Sequence, residues 1–355
     1  MKVLTVIGNR PQFVKAAAVS RLLRERHEEI LVHTGQHYDD ELSTIFVEEL
    51  GIPRPEREFG IGGGSNTEQT SRMLAALVPV IEADRPDAVL VYGDTNSTLA
   101  GGLAAAQARI PVAHVEAGMR SFDRAMPEEL NRVLTDHLSD LLLCPSPTAV
   151  ENLRREAVAG RVELVGDVMV DIAQLIRPRA LADDGPLREL GVEPGAYVLA
   201  TAHRAGNVDD PDRLAALVAL LTAVPGPVVL PVHPRTRARL EAAGLIAQLA
   251  AAGVRLCPPL GYVAFAALLS RARAVLTDSG GVQKEAYLAG IPCVTMRDTT
   301  EWVETVESGW NVLVDLDSAA ALVALDRVMP AERPELYGDG RAGERVVAAL
   351  GALAG

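Results

Sequence analysis

Cysteine, aromatic residues and basic charge are all scarce in this chain. Its 355 residues include three cysteines and 4% aromatics, and the formal net charge is −13. Cys144, Cys257 and Cys293 lie far apart, each in or beside an apolar run, with no CxxC pair and no zinc spacing. Reduced core thiols are expected there, and no metal site. The acidic balance speaks against nucleic-acid binding, which needs a basic stripe to neutralise phosphates. It leaves a phosphorylated small molecule open, because two phosphates need only local cations and helix N-termini. No apolar run approaches the ~20 residues of a membrane span. The chain opens on a strand-like segment with no leader pattern, so a cytoplasmic protein without membrane insertion is expected. A GxGxxG fingerprint is missing as well. The turn after the first strand reads Gly8-Asn9-Arg10-Pro11, which argues against a nicotinamide, and no cofactor is expected.

What is present is apolar and regularly spaced. Hydrophobic residues make up 48%, enough for two cores, and the length exceeds the roughly 250–300 residues at which one core stops growing. Short β-branched runs at 2–7, 30–33, 88–92, 112–116, 141–144 and 162–165 alternate with amphipathic stretches at 14–26, 68–84, 99–109 and 128–138. The rhythm repeats, with strand candidates at 197–200, 228–230, 254–257, 274–276 and 293–295. This βαβα alternation predicts two doubly wound, parallel-sheet, Rossmann-like α/β domains. The predicted boundary lies in 177–195, where Pro178, Pro186, Pro194 and Asp183-Asp184-Gly185 break the pattern. The expected domains are 1–176 and 177–341, followed by a terminal helix in 342–355 that crosses back to the first.

In open α/β sheets, ligands bind beyond the carboxyl ends of the strands. The polar residues that follow the strands are Gly8-Asn9-Arg10-Pro11, Gly35-Gln36-His37, Gly93-Asp94-Thr95, Glu116-Ala117-Gly118, Thr201-Ala202-His203-Arg204, His233-Pro234 and Asp278-Ser279-Gly280-Gly281. That crowding exceeds what helix capping requires. Asp278-Ser279-Gly280-Gly281 opens a helix whose free N–H groups favour an anion, and Glu285 follows one turn later on the same side, suited to ribose hydroxyls. An Asp or Ser there is equally an ordinary N-cap before a tight turn. Asp94 can be read as a helix cap, and Glu128-Glu129 as a favourable first helical turn. Glu116 is the odder carboxylate, since ending an apolar strand on one is costly without a partner or a task. Gly62-Gly63-Gly64-Ser65 reads as a flexible linker. His33 and His37 lie four residues apart on a strand end and loop, which makes a poor metal pair.

Taken in order, these motifs resemble the non-hydrolysing UDP-N-acetylglucosamine 2-epimerases over essentially the full chain. The resemblance rests on Gly8-Asn9-Arg10-Pro11 with Lys15, Gly93-Asp94-Thr95, His114-Val115-Glu116-Ala117-Gly118, Pro127-Glu128-Glu129-Leu130-Asn131-Arg132 and His203-Arg204. It continues through Asp278-Ser279-Gly280-Gly281-Val282-Gln283-Lys284-Glu285, Met296-Arg297-Asp298-Thr299-Thr300-Glu301 and Tyr337-Gly338-Asp339-Gly340. It implies a GT-B-like pair of Rossmann domains with the substrate in the interdomain cleft, and a homodimer serving cell-surface polysaccharide synthesis. It also implies that Asp94, Glu116, Glu128 and His203 are catalytic. Arg10, Lys15, Phe265, Ser279, Gly280, Gly281 and Glu285 would contact UDP, with Arg204 and His233 as further contacts.

The reaction so implied expels UDP from the anomeric carbon, removes the C2 proton to leave 2-acetamidoglucal, and re-adds UDP to give the C2 epimer. Bacterial members are often activated by their own substrate, and Gln36, His37 and Arg204 match part of that second site, whereas Asp39 and Gly62–Ser65 do not. Two further departures bear on the substrate. Gly206 replaces a usual Glu, and Trp302-Val303-Glu304 replaces the usual Arg-Pro-Glu. The latter run and residues 9–14 look more like the subgroup acting on UDP-2,3-diacetamido-2,3-dideoxy-glucuronate. A GT-B glycosyltransferase shares the fold and the Ser-Gly-Gly…Glu grip, but it has no need of a base at C2.

Overall fold

The computed structural model describes residues 1–35 and 50–353. They form two parallel sheets, each in its own compact unit, 1–174 with 335–355 and 175–334. The first sheet has seven strands, β1 (Lys2–Ile7), β2 (Glu28–His33), β3 (Arg57–Glu58), β4 (Ala88–Tyr92), β5 (Val112–Val115), β6 (Leu141–Cys144) and β7 (Arg161–Leu164), ordered β3-β2-β1-β4-β5-β6-β7. The second has six, β8 (Val198–Thr201), β9 (Val228–Pro231), β10 (Val254–Cys257), β11 (Ala274–Thr277), β12 (Cys293–Thr295) and β13 (Asn311–Leu313), ordered β10-β9-β8-β11-β12-β13. In each, the order reverses beside the first strand, between β1 and β4 and between β8 and β11. These are doubly wound sheets, as the alternation predicts, and each reversal opens a crevice at the strand ends.

Central strands bury both faces, which is why they read as continuous apolar runs. Val3, Leu4, Val6 and Ile7 of β1 and all five residues of β4 are buried. On one face of the first sheet, Leu4, Val6, Val89 and Val91 pack with Met73 and Leu77 of the helix Asn66–Asp84 and Ala100 and Ala104 of the helix Asn96–Gln107. In the second unit, Val198, Ala200 and Leu276 pack with Leu214, Leu217 and Leu221 of the helix Pro211–Ala223. The other face holds Leu199, Val275 and Cys293 with Phe265 and Leu268. The helices start where the sequence signals them. Asn9, Ser146, Asp210 and His233 each accept a backbone N–H at an N-cap, and each is followed at once or one residue later by proline.

Two strands escaped the sequence pattern. β3 has only two residues, both exposed, and β13 only three, one buried and two half-buried, too few to show an alternation. The proline-rich stretch is also more ordered than its composition suggests. The helix Val168–Ala182 runs through Pro178, and Pro186 starts the helix Gly185–Leu190. The chain passes into the second unit at 174/175, inside the first of these helices, and returns at 334/335. The terminal helix Ala342–Gly351 then packs on the helix Arg10–Arg24. Its first N–H groups, from Ala342 and Gly343, donate to Asp171 at 3.1 and 2.8 Å.

Gly343 makes that packing close. A Cβ added there would lie 2.5 Å from the Ala18 carbonyl oxygen, so the backbones would have to part. We expect Gly343→Ala to lower stability by about 1–3 kcal/mol, read as a lower urea midpoint at unchanged slope. An unchanged midpoint would show that the two helices tolerate separation.

Candidate functional site

Because β1, β4 and β5 are adjacent, the turns that follow them meet at one rim. Gln12 ties the first two together. Its Oε1 accepts the Gly8 N–H at 2.7 Å, and its Nε2 donates to the Tyr92 carbonyl at 2.7 Å and to Thr98 at 2.8 Å. Thr95, not Asp94, caps the helix Asn96–Gln107, in a capping box with Thr98. Asp94 is therefore released from capping, and its Oδ2 receives Nη2 of Arg132 at 2.6 Å and Nε at 3.1 Å. Asn131 donates to the Asp94 carbonyl at 3.0 Å.

Glu116 ends β5 in a left-handed conformation, φ +71, which is costly for a residue with a side chain. Its buried carboxylate forms an ion pair with Lys15. A Cβ built on Gly93 would lie 3.0 Å from Lys15 Nζ and 3.3 Å from Glu116 Oε2. The pair thus sits against the turn that carries Asp94, and two carboxylates, each with its own cation, share this rim. Glu128 is half-buried in the first turn of the helix Pro127–Leu138. Among the described residues it has no hydrogen bond or ion pair. Its neighbour Glu129 is structural, accepting from Ser121 N at 2.8 Å, Phe122 N at 3.0 Å and Arg132 Nη1 at 2.8 Å.

Behind the rim lies a second, wholly buried layer. Asp136 accepts from Arg120 Nη1 at 2.7 Å and Gly118 N at 3.0 Å, and its other oxygen lies 2.7 Å from His114 Nδ1. His114 Nε2 lies 2.7 Å from the Gly93 carbonyl, and Arg120 also grips Glu156. Burial alone would raise the Asp136 pKa, but the His114 ring and the Arg120 guanidinium together hold it below the usual carboxylate range.

In the second unit β8 and β11 are neighbours, and Asp278 bridges their turns. It caps no helix, since the N-cap of Gly280–Ala289 is Ser279. Fully buried, it accepts from His203 N at 3.1 Å, Arg204 N at 3.0 Å and Asn207 Nδ2 at 3.3 Å. His203 is exposed, with Nδ1 3.5 Å from Asp278, and its ring lies 6.1 Å from that of His233. His233 caps the helix Pro234–Ala242, and Arg204 is half-buried.

Ser279 makes no side-chain cap bond, so the helix begins with open N–H groups. Gly280 is required by close approach: a Cβ there would fall 2.0 Å from Glu301 Oε1. Glu301 in turn accepts from Arg297 at 3.0 Å. Gly281 is exposed and Glu285 half-buried on the same helix. Lys284 is buried, with Nζ 4.1 Å from the centre of the Trp302 ring, a cation–π contact.

One expected site residue, Phe265, belongs to the core, where its side chain lies with Leu268 and Val275. Gln36 and His37 lie outside the described residues, as does the Arg10 side chain, whose backbone begins the helix Arg10–Arg24. His33 is a core residue, edge-on to Phe13 at 4.9 Å, and burial lowers its pKa. No cluster among the described residues suits a metal ion, and none of their helices is long and apolar enough to cross a membrane. Gly62–Ser65 is not the loose linker its composition suggests. Ser65 forms a capping box with Glu68, and Arg72 donates to the carbonyls of Gly62 and Gly63.

Sequence reasoning did not single out Arg132, Asn131, His114 or Asp136 as site-building residues. For the three on the helix Pro127–Leu138 the signal is its inverted face, where Glu129, Asn131, Arg132 and Asp136 are buried and Leu130 and Leu134 exposed, whereas His114 is a buried polar residue within β5.

Comparison with known proteins agrees over the whole chain. A family model described as UDP-N-acetylglucosamine 2-epimerase matches residues 21–351. UDP-2,3-diacetamido-2,3-dideoxy-D-glucuronate 2-epimerase of Pseudomonas aeruginosa is 48% identical over 99% of this chain and 100% of that one. UDP-N-acetylglucosamine 2-epimerase of Methanocaldococcus jannaschii is 39% identical over 99% of each chain. The crystal structure of the Methanocaldococcus jannaschii UDP-GlcNAc 2-epimerase in complex with UDP-GlcNAc and UDP superposes with a TM-score of 0.92 at 38% identity, covering 99% of this chain and 100% of that one.

The depressed pKa of Asp136 carries a pH signature. An aspartate held below its unfolded value contributes stability above about pH 4, and that contribution is lost as pH falls through the native value. Urea unfolding of the native chain should therefore weaken more steeply below about pH 4 than that of Asp136→Asn. Parallel curves would exclude Asp136 as the source.

Proposed function

The chain belongs to the UDP-N-acetylglucosamine 2-epimerase family, and from that premise we propose that it interconverts UDP-GlcNAc and UDP-ManNAc. One observation carries the reading: Asp94 and Glu116, each paired with a cation, share the rim at the ends of β4 and β5. A transferase has no use for carboxylates of this kind at C2, and an epimerase needs them.

The C2 proton of an N-acetylhexosamine is not α to a carbonyl, so the anomeric bond must loosen first. The C1–O bond breaks with its electrons going to the UDP oxygen, a carboxylate takes the C2 proton, and a C1=C2 double bond forms. Return of UDP to C1, with protonation of C2 from the opposite face, gives the epimer. In this chain Asp94, Glu116 and Glu128 would exchange that proton and counter oxocarbenium charge. The open N–H groups of Gly280 and Gly281 and the Ser279 hydroxyl, with His203, Arg204, His233, Arg10 and Lys15, would steady the departing diphosphate. Glu285 would accept the ribose hydroxyls. Lys15 has a double attachment, since its Glu116 pair also places a cation beside the reacting carboxylates.

A second substrate, UDP-2,3-diacetamido-2,3-dideoxy-glucuronate, is favoured by a specific observation. Where the family usually places Arg after Glu301, this chain places Trp302 over Lys284, and its 48% identical relative is named for that sugar. Incubation with each UDP-sugar in deuterated water, followed by NMR, tests both. Epimerisation predicts deuterium at C2 of product and recovered substrate, and the faster sugar is the substrate. Asp94→Asn should slow exchange roughly a hundred- to ten-thousand-fold while the protein remains folded. Sugar transfer to an added acceptor without exchange at C2 would make it a glycosyltransferase.

The resemblance further implies a cytoplasmic homodimer that feeds polysaccharide assembly. Sedimentation at twice the 37.7 kDa chain mass is expected, and a single-chain species would overturn the dimer.

A further inference from the structure

The buried layer behind the rim has a protonation state that its geometry dictates. Among the described residues, the three hydrogen-bonding neighbours of the Asp136 carboxylate all face it with nitrogen, namely His114 Nδ1, Gly118 N and Arg120 Nη1. The backbone amide and the guanidinium are donors only, and both meet Oδ2. The Arg120 guanidinium at 2.7 Å favours the ionised form, so Asp136 is a carboxylate on both oxygens, and a carboxylate accepts. Across the ring, His114 Nε2 faces the Gly93 carbonyl oxygen at 2.7 Å, another group that only accepts. Each ring nitrogen therefore meets an acceptor, and neutral imidazole, with one N–H, can serve only one of them. Both residues are fully buried, so no solvent contact supplies the missing donor.

We propose that His114 is a buried imidazolium held by Asp136, and that this pair is the positioning element for both carboxylate-bearing turns. One end fixes the carbonyl of Gly93, the residue before Asp94. The other, through Asp136, fixes the N–H of Gly118, two residues after Glu116. The charges close on themselves: His114 and Arg120 are cations, Asp136 and Glu156 anions, joined by contacts of 2.7 Å. A buried charge survives only with such compensation. None of the four is placed on the substrate, so His114 and Asp136 act through Asp94 and Glu116. The inference rests on the reading of those two as the reacting carboxylates.

Long-range ¹⁵N NMR of the full chain at neutral pH tests the ring directly. The native protein should show a His114 ring with both nitrogens protonated, identified by its loss in His114→Gln. A neutral tautomer would overturn the proposal, whatever the activity. Asp136→Asn should abolish the imidazolium signature and lower kcat on the order of a hundredfold, with UDP affinity near native, because Ser279, Gly280, Gly281 and Glu285 of the UDP grip lie in the other unit. Should that variant not fold, Asp136→Glu keeps the charge but moves it, and should retain the imidazolium while losing kcat. Native kcat in either folded variant would overturn the positioning role. Full exchange activity in Asp94→Asn would instead sink the carboxylate reading and leave the ring measurement standing.

Discussion

A buried carboxylate behind the carboxyl ends of adjacent parallel strands is the interaction on which both units depend. Parallel strands hand their chain to a turn, and there the ladder stops and backbone N–H and C=O groups need new partners. In the first unit Asp136 satisfies Gly118 directly and Gly93 through His114. In the second, Asp278 takes the N–H groups of His203 and Arg204 and, from its place at the end of β11, locks the turn after β8. The two carboxylates arrive differently, one from a helix and one from a strand end. Each leaves the rim rigid where polar side chains must hold still.

Neither arrangement is explained by stability. Moving a carboxylate out of water costs several kcal/mol, and each charge-assisted hydrogen bond returns about 1.5–3 kcal/mol. Three or four such bonds meet that cost, and an apolar replacement of the carboxylate together with all its charged partners would serve the fold as well. What it would not do is fix two turns at once. The left-handed Glu116 leads to the same conclusion, since a strained backbone persists only where its surroundings over-determine it.

How much of this was legible follows from what each signal depends on. The strands read clearly because central parallel strands bury both faces. β3 and β13 were lost because two or three residues carry no period. The rim residues were legible as polar punctuation after strands, and Asp94, Glu116 and His203 do stand at strand ends. Their partners were not. Arg132 and Asp136 sit on a helix whose leucines face outward, so an apolar-inside reading turns it the wrong way. Asp278 looked like a helix cap, and only the strand order shows that its nearest unpaired donors belong to the turn after β8. The Gly62–Ser65 run misled in the opposite direction, because composition does not register the grip of Arg72 on its carbonyls.

The grip at Ser279-Gly280-Gly281 shows how a local motif is completed from elsewhere. Gly280 is needed for its backbone N–H, but equally because a Cβ there would run into the Glu301 carboxylate. Glu301 is held by Arg297, and the next residue, Trp302, lays its ring against Lys284 from the same helix as the glycines. The exchange of the family's usual Arg for Trp at this point therefore does not strip the turn of positive charge. Arg297 lies on Glu301 and Lys284 against Trp302, one cation from the run itself and one from the helix. Trp302 is itself buried, so its exchange reshapes the packing behind the glycine turn. The packing that holds the glycine turn is thus shared between its own helix and the run that follows β12.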